Sequence, residues 1–124
     1  MNIKNIDLVA VPVTDQDASL KFYTEKLGFE VRLNIPHFEN PSIRWMQLAP
    51  SGAATSMVLA PWVKPENFIT FILETSSIEA DYAELKAKGV NLAPLVTQPW
   101  GTSAMITDPD GNQLLLQQST ALPK

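Results

Sequence analysis

The sequence has no cysteine and a single histidine, His37, among its 124 residues. The first absence removes thiol nucleophiles, thiolate metal sites and disulfides together. The second leaves one imidazole for any acid–base or metal chemistry. Basic clusters are missing too. Nine Lys and Arg stand against thirteen Asp and Glu for a net charge of −4, and nothing along the chain gathers enough positive charge to neutralise a phosphate backbone, so no nucleic-acid partner is expected. No apolar run approaches the ~18 residues of a membrane span. The first residues lead into a strand pattern without a cationic segment followed by an apolar one, so the expected location is the cytoplasm, away from membranes. A chain of this length buries roughly two-thirds of its unfolded surface and needs no metal or disulfide to hold it together.

What is present is organised around residues 100–118, which read as a β-hairpin with its turn spelled out. Pro109 pre-sets the backbone for the second position of a tight turn, Asp108 can accept from backbone N–H groups, and Gly111 can take a left-handed conformation. A similar phrase comes 59 residues earlier, where the strand at Trp45 to Ala49 meets Pro50 and Gly52 and a second apolar run follows at Met57.

From the start of the chain, residues 6–13 are short, β-branched and apolar almost throughout, which predicts a strand buried on both faces. Thr14 and Asp17 have the spacing of a capping box, and Leu20, Tyr23 and Leu27 then mark an amphipathic helix that Gly28 stops. Strands are expected at 29–34, 43–49 and 57–60, with a loop at 35–42 carrying His37. The Pro- and Trp-containing stretch 61–66 is a natural joint. The order then restarts: a strand at 68–73, a capping box at Ser76 and Glu79, a helix with Ile78, Tyr82 and Leu85 on one face, a stop at Gly89, a strand from Val90 to Ala93, and the hairpin. Leu8 and Phe68 are 60 residues apart, as are Phe22 and Tyr82; Gly28 and Gly89 are 61 apart. This predicts an α+β fold of two βαβββ modules, about 1–61 and about 67–124, on either side of the joint at 61–66.

Three stretches carry a family resemblance: 13–29, with Phe22, Tyr23, Leu27, Gly28 and Phe29; the second helix, closed by Leu85-Lys86-Ala87-Lys88-Gly89; and Gln98-Pro99-Trp100-Gly101 followed by Asp108-Pro109-Asp110-Gly111-Asn112. Together they resemble the vicinal oxygen chelate superfamily of glyoxalase I, bleomycin-resistance proteins and extradiol dioxygenases. The resemblance implies two βαβββ modules forming a cupped, partly open barrel, a homodimer, and a small-molecule site in the cup. In metal-dependent members a divalent ion is held there by a His on the first strand of each module and by carboxylates or related ligands on the last strands. The resemblance puts Leu8 and Phe68 at the histidine positions, Leu115 at one carboxylate position, and Ser56 or Val58 at the other. Such an ion needs several N or O donors at about 2 Å, and these side chains offer no imidazole or carboxylate. The expectation is therefore no metal and no cofactor, with the apolar groups lining a pocket for an organic ligand.

The ligand-binding candidates are Leu8, His37, Trp45, Gln47, Val58, Phe68, Thr70, Trp100 and Leu115. His37 and nearby Glu39 fall short of a triad, and catalytic residues are unassigned. Trp45, Trp62 and Trp100 could stack on a flat ligand, fill a core or pack at a dimer interface. Trp45 and Gln47 share one face of their strand and Arg44, Met46 and Leu48 the other, without indication of which lines the cup. The Asp108–Asn112 cluster lacks the further acidic positions of an EF-hand, and a turn accounts for all of it. The reading is a metal-free, cytoplasmic, glyoxalase/bleomycin-resistance-like protein that binds a small apolar or aromatic molecule in the cup. The alternative is an enzyme of the same superfamily, of lyase or dioxygenase type, with a relocated metal or a metal-independent acid/base site drawing on His37, Glu39, Glu74 or Arg44.

Overall fold

Two mixed sheets, each with one main helix, make up the protein. The computed structural model describes residues 1–64 and 69–120, with side chains for all of these except Ile69 and Thr70. The chain divides into two compact units, residues 1–65 and 66–124. In the first, β1 (Leu8–Pro12), α1 (Gln16–Lys21), β2 (Glu30–Pro36), β3 (Arg44–Ala49) and β4 (Ser56–Ala60) follow in order. In the second come β5 (Ile69–Glu74), α2 (Ile78–Ala87), β6 (Asn91–Leu92), β7 (Val96–Gln98), β8 (Gly101–Thr107) and β9 (Gln113–Ser119). The sheets run β1-β4-β3-β2 and β5-β9-β8-β6, with β7 added onto β8. Both therefore place the first strand of the unit parallel to its last. The α+β fold of two βαβββ modules is the expected one; β7 is an addition to it.

Each helix covers one face of its sheet. In the first unit Val11, Met46, Leu48, Met57 and Leu59 are buried together with Tyr23 of the helical segment. In the second Ala104, Ile106, Leu114 and Leu116 are buried, as are Ile78 and Leu85 of α2. Alternation along the strands then defines an opposite, helix-free face in each unit.

The local signals come out unevenly. Gly28 and Gly89 do end the helices, with φ of 73° and 76°. After Gly89 the Val90 N–H donates to Leu85 O and the Gly89 N–H to Lys86 O, both at 3.1 Å, the two bonds of a Schellman cap, whereas after Gly28 the Phe29 N–H donates to Tyr23 O at 2.9 Å, one residue further back than that motif reaches. The helix does not reach that point as a plain α-helix, because Phe22–Lys26 is a π-helical turn in which Leu27 N–H donates back to Phe22 O. The two capping boxes are corrected. Asp15, one residue beyond Thr14, caps α1 by accepting from Ala18 N–H. Ser77 is the cap residue of α2 without a side-chain bond, and the Gln118 side chain accepts from Ile78 N–H at 2.9 Å. A side chain 40 residues away thus satisfies a donor that a local Ser was expected to serve. The stretch 6–13 is also not buried on both faces: Val9 of β1 is 37 % exposed, and Ile6, ahead of the strand, 68 %. Strand β2 runs on to Pro36, two residues into the expected loop.

Both turns of the repeated phrase close with the bond from the fourth residue's N–H to the first residue's C=O, Ala53 to Pro50 and Gly111 to Asp108. They differ in where the glycine falls. Gly52, with φ of 77°, is third in its turn, and Gly111, with φ of 85°, is fourth.

Candidate functional site: the helix-free face of the first sheet

Register decides which side chains share this face. Leu8 pairs with Ser56 and Ala10 with Val58, Gln47 with Val58, and Leu33 with Gln47 and Ile35 with Trp45. Paired residues point the same way, so Leu8, Val58, Gln47, Trp45, Leu33 and Ile35 form one surface. Met46 and Leu48 lie on the buried helix side. Trp45 and Gln47, the pair whose orientation the sequence left open, therefore face away from α1.

Beyond Trp45 the face ends in an aromatic cluster. His37, leaving β2, stacks on Phe38 at 4.8 Å and 12°. It meets the Trp62 ring edge-on at 4.9 Å and the Trp45 ring at 6.0 Å. Trp45 and Trp62 are themselves stacked, 5.8 Å apart and 15° from parallel. Phe38 is 76 % and Trp62 43 % exposed, so the cluster offers ring surface to the outside. His37 is half-buried here. Its Nδ1 accepts from the backbone N–H groups of Glu39 and Asn40, at 3.1 and 3.3 Å. The indole N–H of Trp45 donates to Gln47 Oε1 at 3.2 Å, which fixes both side chains.

At the other end of the face stands a residue the sequence reading did not single out. The pairing of β2 with β3 shifts between Val31 and Leu33, leaving Arg32 as the extra residue of a bulge. Strict alternation from Ile35 and Leu33 would send Arg32 to the helix side. Instead its Nη1 donates to Ser56 Oγ at 3.1 Å, and Ser56 is Leu8's partner on the helix-free face. A second guanidinium nitrogen donates to Pro50 O at 3.4 Å, and Nε lies 3.5 Å from the Glu30 carboxylate.

That contact bears on the metal positions implied by the resemblance. In the first unit they carry hydrocarbon at Leu8 and Val58, and the one oxygen, Ser56 Oγ, already accepts from a cation. This donor set does not fit a divalent ion, which would lack ligands and meet like charge. Among the described residues no three His, Asp or Glu side chains gather into a metal-binding group.

The other candidates lie in the second unit or outside the description. Phe68 lies outside the described residues. Thr70 falls at the pairing irregularity between Ile69 and Phe71, and its side chain is among those not described. Leu115 pairs with Ile72 and Met105 on the helix-free face of the second sheet, where Ile72 is 58 % exposed. Trp100, 51 % exposed, precedes β8, and its carbonyl accepts from Thr120 N–H. Arg44, from the acid/base alternative, lies on the opposite side of β3 from Trp45 and donates to Asn34 Oδ1 and Asn34 O. A cleft of about 430 Å³ between the starts of α1 and β3 is lined by Asp15, Gln16, Ser42 and Arg44 among others. Gln16 there is engaged with the backbone of Arg44 and Leu59.

Residues 5–116 match the model of the Glyoxalase/Bleomycin resistance protein/Dioxygenase superfamily. A Bacillus subtilis (strain 168) relative, the uncharacterized protein YetH, is 34 % identical over 121 residues, covering 94 % of this chain and 99 % of its own. Among solved structures, the antibiotic-binding protein TnmS3 from Streptomyces sp. CB03234 superposes with a TM-score of 0.88 at 38 % identity, over 97 % of this chain and 99 % of the other. A bleomycin-binding protein complexed with bleomycin matches in fold, with a TM-score of 0.71 at 24 % identity, over 94 % of this chain and all of the other.

Proposed function

Since the chain belongs to the Glyoxalase/Bleomycin resistance protein/Dioxygenase superfamily, we propose that it is a metal-free binding protein for a small, flat, largely aromatic molecule, held on the helix-free face of the first sheet. The observation that carries this is the cluster of His37, Phe38, Trp45 and Trp62, partly exposed, at the end of a face whose implied metal positions carry hydrocarbon at Leu8 and Val58 and, at Ser56, a hydroxyl already bonded to Arg32. Aromatic surface of this kind holds a planar ligand by dispersion and dehydration, without a metal. That a 38 %-identical structure is an antibiotic-binding protein supports the same class of ligand for this chain. Leu33 and Ile35 on edge strand β2 are 40 % and 45 % exposed, which favours a homodimer covering them.

A thermal-shift screen of hydrophobic metabolites and glycopeptide-type drugs tests the reading, together with metal analysis of protein purified without chelators. Stabilisation by polycyclic aromatic compounds, with substoichiometric zinc, nickel, iron and manganese, is the expected result. A stoichiometric ion, or a screen in which no aromatic compound stabilises the protein, overturns it.

A further inference from the structure

We propose that the Arg32 guanidinium is a second binding point on this face, taking a carboxylate or other anionic oxygen of an elongated ligand whose aromatic end lies on the Trp45–Trp62 cluster. The inference rests on the reading above and narrows its ligand class to aromatic acids.

Three observations lead there. First, Arg32 is aimed across the sheet. It starts on β2 yet reaches Ser56 on β4, so its side chain crosses β3 at the level of Ala49, the residue paired with Glu30. Ala49 is fully buried and carries only a methyl group, leaving room for the guanidinium above it. Second, the guanidinium is held but not saturated. Guanidinium has five N–H donors in a fixed fork, and the three contacts at Ser56, Pro50 and Glu30 leave donors over. The side chain keeps 25 % exposure. Third, its charge is weakly matched. Glu30 lies at 3.5 Å and is itself 48 % exposed, so water competes for that pair and a better-placed carboxylate can displace it.

The spacing sets the length of the ligand. Ala49 lies four residues along β3 from Trp45, about 13 Å at the rise of an extended strand. A molecule touching both ends has two or three rings in line with an acidic group at one end. Between the ends lie Gln47, half-buried, and its cross-strand partner Val58, which is buried.

Calorimetric titration with biphenyl-4-carboxylate and its neutral counterpart biphenyl-4-methanol tests this. The carboxylate is expected to bind at least tenfold more tightly, with the difference shrinking as salt is raised. Arg32→Met should abolish the difference while changing the alcohol's affinity less than about twofold. Glu30→Gln, which removes the competing carboxylate without emptying the face, should strengthen carboxylate binding several-fold. It also serves as the test should Arg32→Met fail to fold. Equal binding of the two probes by the native protein, a preference that survives Arg32→Met, or no gain in Glu30→Gln overturns the Arg32 proposal while leaving the aromatic site standing. Binding of neither probe overturns both.

Discussion

Trp45 and Trp62 lie nearly parallel, 15° apart with ring centroids 5.8 Å from one another. That distance is within the range of direct offset stacking. A planar ligand inserted between two rings needs about 7 Å from plane to plane, twice an ordinary carbon–carbon contact. The pair as it stands is therefore a closed stack, and a ligand bound as proposed would add to its outer surface.

Trp62 supplies that surface, and at 43 % exposure it contributes little to the core. Trp62→Ala is expected to weaken an aromatic ligand found by the thermal-shift screen at least tenfold while lowering Tm by only a few degrees. Titration calorimetry and a melting curve on the same sample check both halves. Unchanged affinity would place the ligand elsewhere.

A second prediction concerns the β8–β9 turn. Asp108 Oδ1 accepts from the backbone N–H groups of Asp110 and Asn112, and Oδ2 accepts from the Asn112 side chain, all at 2.8 to 2.9 Å. Both residues are buried, Asp108 at 4 % and Asn112 at 1 % exposure. Asp108→Ala strands those donors, and the expected loss is about 2–4 kcal/mol, measured by urea denaturation. A loss below about 1 kcal/mol would mean that water or a shifted turn takes over the acceptor role.

How far the sequence discloses this architecture follows the range of the interactions. The Asp108–Asn112 turn, the glycine stops at Gly28 and Gly89, and the face of α2 are local chemistry, and all are legible. Asp15 lies one position from Thr14, and both residue types cap helices well, so composition alone does not separate them. The donor at the start of α2 goes to Gln118 on another strand, which no local pattern contains. Arg32 is hidden for a different reason: one bulge reverses the side to which alternation assigns it, and nothing in its neighbours announces a bulge. For the site, Leu8, Trp45, Gln47 and Val58 prove to share one face, because period-2 alternation holds in β1, β3 and β4. The ring contacts of His37 with Phe38 and Trp62 depend on how two loops meet, which the sequence does not specify.

Gly101 gives a third prediction. It opens β8 with φ of 153°, and a Cβ built there would stand 2.5 Å from the backbone oxygen of Gln118. Backbone, unlike a flexible side chain, cannot give way cheaply, and the conformation is itself poor for an L-residue. Gly101→Ala is expected to cost about 2–4 kcal/mol and to disturb amide chemical shifts along β9 from Gln118 to Thr120. A variant as stable as the parent, with those shifts unmoved, would show that the strand end relaxes without penalty.

Gln16 gives the last. Strand β3 pairs with β4 at Gln47–Val58 and Leu48–Met57, and towards the start of β3 a side chain bonds the backbone of both strands. Gln16 Nε2 donates to Arg44 O at 2.6 Å and to Leu59 O at 3.1 Å, and its Oε1 accepts from Arg44 N–H at 3.1 Å. One amide therefore ties the first turn of α1 to two neighbouring strands. Gln16→Leu keeps the bulk but leaves those backbone groups to the solvent of the adjoining cleft, and the expected cost is about 1–3 kcal/mol. Because Trp45 is the next residue after Arg44, the loss should also reach the aromatic platform. Faster amide exchange at Arg44 and Trp45 and a shifted Trp45 indole N–H resonance are expected, while β9 in the second unit stays unchanged. Loss of stability without any change at Trp45 would separate this strap from the binding face.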